Sequence, residues 1–327
     1  MRVMRLFLAP RDHPGRCFLT PQQKRGGCAK AATTMDTQPS LPRELEREIF
    51  KTAAASYPNT IPTLLRVAHR VMTWCFLSFS ASPHRLTNSR TEPFLYRVVR
   101  VNRAAGRYGV SSALLRGATS KPPAQFLRAV RNLLLEEPMP WTIDETKTVL
   151  GQCSGLIELA IIAAVDPEIL TVLAEMPLRM LSCTLNELFG GYSAIRLTHP
   201  AFAALTHLHT FDEPALVCAH IPLLPALTHI AFTKHFAYEM VQMLLKQCAR
   251  LEVLLVGIYF TRTDFARKWA QCMPVRDPRF VVAPWADYIT EWHAAARGLP
   301  HLWALADDFI ARKRRGEIDP GYYWLHT

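Results

Sequence analysis

Between about residue 126 and residue 282 the chain repeats one short hydrophobic signature. An L-x-x-L-x-apolar core starts at Val130, Leu156, Leu178, Leu205, Leu227 and Leu251, with a degenerate copy at Asp277. The spacings are 26, 22, 27, 22, 24 and 26 residues. The cores read "VRNLLL", "LIELAI", "LRMLSC", "LTHLHT", "LTHIAF", "LEVLLV" and "DPRFVV", and helix-compatible fillers such as "ETKTVLGQC" and "AYEMVQMLLKQC" lie between them. One strand and one helix in every ~20–29 residues predicts an α/β solenoid, a leucine-rich-repeat-like array of about seven units. A single strand–helix unit cannot bury its apolar face, so each neighbour supplies the cover.

Upstream the period changes. In "SLPRELEREIFKTAA" (40–54), Ser40 suits an N-cap, Pro42 suits the first turn, and Leu41, Leu45 and Ile49 fall on one face at helical spacing. "TIPTLLRVAHRVMTW" (60–74) predicts a second helix with Leu64, Leu65 and Ala68 on its apolar stripe. The Ser-rich stretch 75–91 has no helical period and predicts an inserted loop, after which "EPFLYRVVRV" has the composition of a strand. The predicted organisation is a basic, disordered extension (1–39), a helical module (40–100), the repeat array with a C-terminal capping helix "HLWALADDFIARKRR" (126–315), and a tail (316–327).

The repeat register also predicts a binding surface. In one ladder Asn132, Glu158, Met180, His207, His229, Val253 and Arg279 stand side by side. In the next stand Leu134, Ala160, Ser182, His209, Ala231, Leu255 and Val281. Parallel strands ~4.8 Å apart turn these rows into a concave face suited to a protein client rather than a small molecule. Glu158, His207, His209, His229 and Arg279 are its candidate client-binding residues, expected on the solvent side.

Chemical motifs yield to the same register. "GQCSG" (151–155) matches a nucleophile elbow, but that elbow joins a strand to a following helix, and here the helix-like segment comes first. Cys153 and Cys248 each stand three residues before a core leucine, and Gln271–Cys272 precedes the last unit. A small thiol plugging the helix-to-strand corner explains the recurrence, and a cysteine-dependent hydrolase is the remote alternative. The histidines at 199–235 lack a structural-zinc spacing, and no Gly-rich phosphate loop is present. No metal or cofactor is expected, and no catalytic residue is assigned.

Charge and composition narrow the partners. Of the net +11, the first 40 residues hold seven Lys/Arg against Asp12 and Asp36. The rest shows no basic stripe interleaved with aromatics, so nucleic acid is not an expected partner. No apolar run approaches the ~20 residues that span a bilayer, so neither is a membrane. Eight thinly spread cysteines fit reduced thiols in the cytoplasm or nucleus.

With two N-terminal helices, "LPRELEREIF", Trp74 and "EPFLYRVV" followed by repeats, the chain resembles the F-box and leucine-rich-repeat-like proteins abundant in mushroom-forming fungi. The likeness covers about residues 40–315. It implies a short F-box-like module docking on the small adaptor subunit of a cullin–RING ubiquitin ligase through Leu41, Pro42, Leu45, Ile49, Leu65, Val67 and Trp74. The repeats would present an unidentified protein client. A repeat-based scaffold without ligase docking is the alternative.

Overall fold

The computed structural model describes residues 96–102, 109–235, 237–259, 263–285 and 287–326. The extension 1–39, the insert 75–91 and the docking positions Leu41, Pro42, Leu45, Ile49, Leu65, Val67 and Trp74 lie outside the described residues.

Eight strands form one parallel sheet in sequential order. They are β1 Val98–Val101, β2 Asn132–Glu136, β3 Glu158–Ile162, β4 Met180–Cys183, β5 His207–Thr210, β6 His229–Phe232, β7 Val253–Tyr259 and β8 Phe280–Trp285. All seven predicted cores are strands. The expected register holds from Asn132 through Glu158, Met180, His207 and His229 to Val253, and from Leu134 to Val281 in the neighbouring row. β1 is an eighth strand, which the sequence pattern had placed with the preceding module. Its Val99 and Val101 are buried at alternate positions, and Val98 aligns with Asn132, so it extends the sheet at its edge.

Helices alternate with the strands: α1 Val110–Thr119, α2 Ile143–Gln152, α3 Ile169–Leu173, α4 Leu185–Phe189, α5 Pro214–Val217, α6 Tyr238–Gln247 and α7 Thr263–Gln271. Local chemistry sets their ends. Thr142 and Glu145 form a capping box at the start of α2, each side chain accepting the other's backbone N–H. Gly190 closes α4 with φ 71°, a left-handed conformation that glycine adopts without steric cost. The buried Asp212 carboxylate accepts from Leu185 N, Asn186 N and Thr210 Oγ1, tying the strand of one unit to the helix of the preceding one.

Period-two alternation divides each strand between two apolar layers. Leu133, Leu135, Leu159, Ile161, Ile230, Phe232, Leu254 and Val256 pack with the alternating helices. Leu134, Ala160, Ala231, Leu255 and Val281 face the other way. That second face is covered. After β8 the chain makes α8 Tyr288–Ala296 and α9 Leu302–Arg314. Trp292 of α8 packs on Leu134 and Ala160, while Leu302, Ala306, Phe309 and Ile310 of α9 pack with Ala231, Val253, Leu255 and Val281. The predicted capping helix therefore lies across the sheet rather than at its end.

The predicted tail (316–327) packs against the sheet. Tyr323, Trp324 and Leu325 are buried. Val282 N donates to Tyr323 O, Leu325 N donates to Val282 O, and Trp324 bridges Val282 in parallel. The two helices thus form a strap anchored to β8 at both ends. No described helix is long and apolar enough to cross a membrane.

Lys313 secures the returning end of the strap. Its Nζ donates to Phe280 O at 3.0 Å and sits 4.8 Å and 4.5 Å from the Phe309 and Tyr323 rings. Burial pushes its pKa down to about 7. The unfolded chain, at the ordinary lysine value of about 10.4, holds a proton that the folded chain releases between those limits. Stability should therefore rise with pH from about 7 to 10, by at most about 1.4 kcal/mol per unit from this group. Lys313→Met should flatten that slope in urea melts taken across the window.

Candidate functional site: the covered histidine ladder

His207 and His229 occupy the same place in adjacent units, and their rings stack at 4.0 Å with 12° between planes. Each is oriented by the threonine before it: Thr206 Oγ1 lies 2.9 Å from His207 Nδ1 and Thr228 Oγ1 lies 2.7 Å from His229 Nδ1. Trp303 of α9 meets both rings edge-on, at 5.5 Å and 5.7 Å, and Asp307 Oδ1 stands 3.0 Å from His229 Nε2. The side-by-side arrangement follows the sequence register, but the solvent-facing position does not. Only 7% of His229 and 3% of His209 remain exposed.

His209 is the deeper group. Its ring stacks on Trp285 at 4.6 Å and lies 5.1 Å from Tyr288. Trp285 can lie there because Gly257, on the adjacent strand, has no side chain; a Cβ at that position would overlap the indole. Burial lowers the His209 pKa to about 3 and the His207 pKa to about 4, so both are neutral at pH 7. Glu158, two strands away, is 6% exposed. It accepts from Asn132 Nδ2 at 2.5 Å, yet burial outweighs that bond and raises its pKa to about 7.

The sheet and the strap do not close completely. Between them lies a partly open cavity of about 40 Å³, lined by Glu158, His209, Trp285, Tyr288, Trp292 and His301 among others. Five of the lining residues carry a fully buried polar atom without hydrogen-bond geometry to another described residue: His209 Nε2, Trp285 Nε1, Tyr288 Oη, Trp292 Nε1 and His301 Nδ1. Trp292 Nε1 is close to Glu158 and Tyr288 Oη to Ser182, without hydrogen-bond geometry in either case. Buried donors and acceptors are normally paired, so these five atoms are unusual for the interior of a folded chain.

The remaining expected residues lie elsewhere. Arg279 was placed at the end of the ladder as a client contact. Its guanidinium instead forks onto Asp277, at 2.9 Å and 2.7 Å, and donates to the carbonyls of Leu245 and Leu251. Those four acceptors hold it at the end of α6. Cys153 is the residue that ends α2 and is fully buried, and desolvation pushes its pKa up to about 12. Cys248 ends α6 in the same way, at about 11. The corner-plug role therefore suits both, and at neutral pH neither is the thiolate that nucleophilic attack requires. Cys272 is exposed and departs from the pattern.

Trp285, Tyr288, Trp292, Trp303 and Asp307 are site residues that strand periodicity could not supply, because they belong to the strap or to its junction with β8. No family model, curated protein or solved structure matches this chain. Among the described residues no group of three or more His, Cys, Asp or Glu could hold a metal ion.

The buried ionisable groups give the site a defined pH response. His207 and His209 bind protons in the unfolded chain, but not in the folded one, from about pH 6.5 down to about 4, so each lowers stability on acidification. Glu158 acts oppositely, holding in the folded state between about pH 4.5 and 7 a proton that the unfolded chain has lost. Near pH 5 the two histidines outweigh the single carboxyl, and stability should fall as pH falls. Relative to wild type, Glu158→Gln should steepen that acid slope and His209→Phe should flatten it, each by at most about 1.4 kcal/mol per pH unit. Denaturant midpoints between pH 4.5 and 6.5 measure both, and slopes unchanged in the two variants would refute the assignment.

Proposed function

We propose that the chain is a non-catalytic, substrate-recruiting subunit of a cullin–RING ubiquitin ligase, with an F-box-like helical module followed by a leucine-rich-repeat-like solenoid. The observation that supports the solenoid is the unbroken order of eight parallel strands in one register. Similar units stacked edge to edge make an extended scaffold. A sheet whose strand order never reverses also offers no switch-point crevice of the kind that doubly wound α/β proteins use for cofactors. The docking half of the proposal rests on the resemblance at Leu41, Pro42, Leu45, Ile49, Leu65, Val67 and Trp74.

The strap alters how a client is met. Glu158, His209 and His229 lie beneath it, so they act from behind the contact surface. The client would meet the outer side of α9, where Asp307, Asp308, Arg312 and Arg314 are exposed. Such a mixed-charge surface selects a partner by complementarity more than by apolar burial.

Affinity capture of the full chain from its own cells should recover a small ligase adaptor together with a client. Leu45→Asp combined with Ile49→Asp should lower adaptor recovery by more than about tenfold, because each places a charge in the apolar docking face. A wild-type chain that recovers protein clients but no adaptor would overturn ligase docking and leave the repeat-based scaffold.

A further inference from the structure

One edge of the solenoid gathers arginine at a repeated position. Arg97, Arg131, Ile157 and Arg179 each stand one residue before their strand. The backbone sets them in a row: Arg131 N donates to Arg97 O at 2.9 Å, Ile157 N to Arg131 O at 2.9 Å and Arg179 N to Ile157 O at 2.8 Å. Neighbours in such a row stand ~4.8 Å apart. All four side chains are exposed, as is that of Arg128, three residues before Arg131. They share the strand parity of Val99, Leu133, Leu159 and Leu181, so the row lies on the helix side, at the corners where helices end and strands begin.

Two of the arginines are held in place by the next unit. Arg131 Nη1 donates to Gly155 O at 2.7 Å and Arg179 Nη1 to Ala204 O at 3.3 Å, in each case two residues before the next row position. Gly155 must lack a side chain there, because a Cβ would strike Arg131 Nη1 and Arg128 O. A guanidinium has five N–H donors, so most of each fork stays free. Among the described residues none of Arg97, Arg128, Arg131 and Arg179 meets a carboxylate, whereas Arg100, Lys147, Lys234, Arg279 and Arg315 each do. The corner segments 120–131, 153–157, 174–179 and 203–206 contain Glu175 as their one acidic residue. Beyond Arg179 the row continues as Thr206, Thr228 and Glu252, so its basic part ends at β4.

The composition of this edge narrows the partner. Planar guanidinium forks match carboxylates two bonds at a time. Ile157, 40% exposed, stands between Arg131 and Arg179. An aliphatic side chain offers no stacking plane to a nucleic-acid base, and the nearest aromatics in sequence, Tyr96 and Phe126, stack on each other at 4.1 Å and pack against the core. Carboxylates flanking an aliphatic residue satisfy both features. We propose that the edge formed by Arg97, Arg128, Arg131, Ile157 and Arg179 binds an acidic segment of a protein partner, with an apolar residue of that segment on Ile157 and its carboxylates on the arginines to either side. This surface contains no strap residue, and its chemistry is independent of ligase docking.

Fluorescence anisotropy with the full chain and a dye-labelled, blocked Glu-Glu-Leu-Glu-Glu peptide at low salt measures this directly. The peptide should bind about tenfold or more tightly than its counterpart with glutamine for glutamate, and its affinity should fall as salt screens the exposed charges. A serine in place of the leucine should weaken it several-fold. Arg131→Ala combined with Arg179→Ala should cost about tenfold. Arg297→Ala combined with Arg314→Ala removes the same charge from the strap and should change binding by less than about twofold, which separates the edge from net charge. Equal losses in the two pairs would overturn the proposal, as would equal binding of the acidic and glutamine peptides, or unchanged affinity without the leucine. Tighter binding of the wild-type chain to a single-stranded oligonucleotide or to phosphatidylserine vesicles would overturn it too, since the edge would then read any polyanion. The wild-type comparisons stand even where a variant fails to fold.

Discussion

The structure turns on one constraint of this parallel sheet: its second face is too apolar to be left in water. A strand in such a sheet presents alternate side chains to opposite sides. Here Leu134, Ala160, Ala231, Leu255 and Val281 leave the second face nearly as apolar as the first. Burying one large apolar side chain is worth about 1.5–3 kcal/mol, so a row of them exerts a strong pull on any amphipathic segment within reach. The chain after β8 provides one. Leu302, Ala306, Phe309 and Ile310 recur at helical spacing, and the tail pairs with Val282 to hold the far end.

The cover determines the chemistry of what lies beneath it. Strand register alone would leave His207, His209 and Glu158 in water, with ordinary titration behaviour. Beneath Trp292, Trp303 and Leu302 the same groups lose solvent, and burial is the largest cause of the shifts in His207, His209 and Glu158. A neutral histidine stacked on tryptophan is a packing element that keeps polar capacity at its edge. The cavity lies where the strap helices and the sheet leave a gap, lined by residues of both.

Much of the architecture was legible from the chain. The cores from Val130 to Asp277 located seven strands, and aligning them paired His207 with His229 and His209 with Ala231 before any coordinates. The cover was missed although its signal was present. The second ladder is apolar at five of its seven positions, a composition at odds with a solvent-facing row, and "HLWALADDFIARKRR" carries the complementary stripe. "FVVAPW" is apolar throughout, as strands buried on both faces are. Arg279 was misplaced for a different reason. Periodicity fixes where a residue sits along a strand, but its long side chain was free to reach the carbonyls at the end of α6.

What the sequence determined by itself was therefore local and nearest-neighbour in kind: strands, corners and register, all set by apolar spacing over 22 to 27 residues. The tertiary structure alone decided which face stayed open, which ionisable groups lost their water and where a cavity formed. Those outcomes depend on contacts between segments far apart along the chain, such as His229 with Asp307, 78 residues away. A periodic pattern contains no information about such a contact, because it arises only when one surface has to be removed from water by whatever segment can reach it.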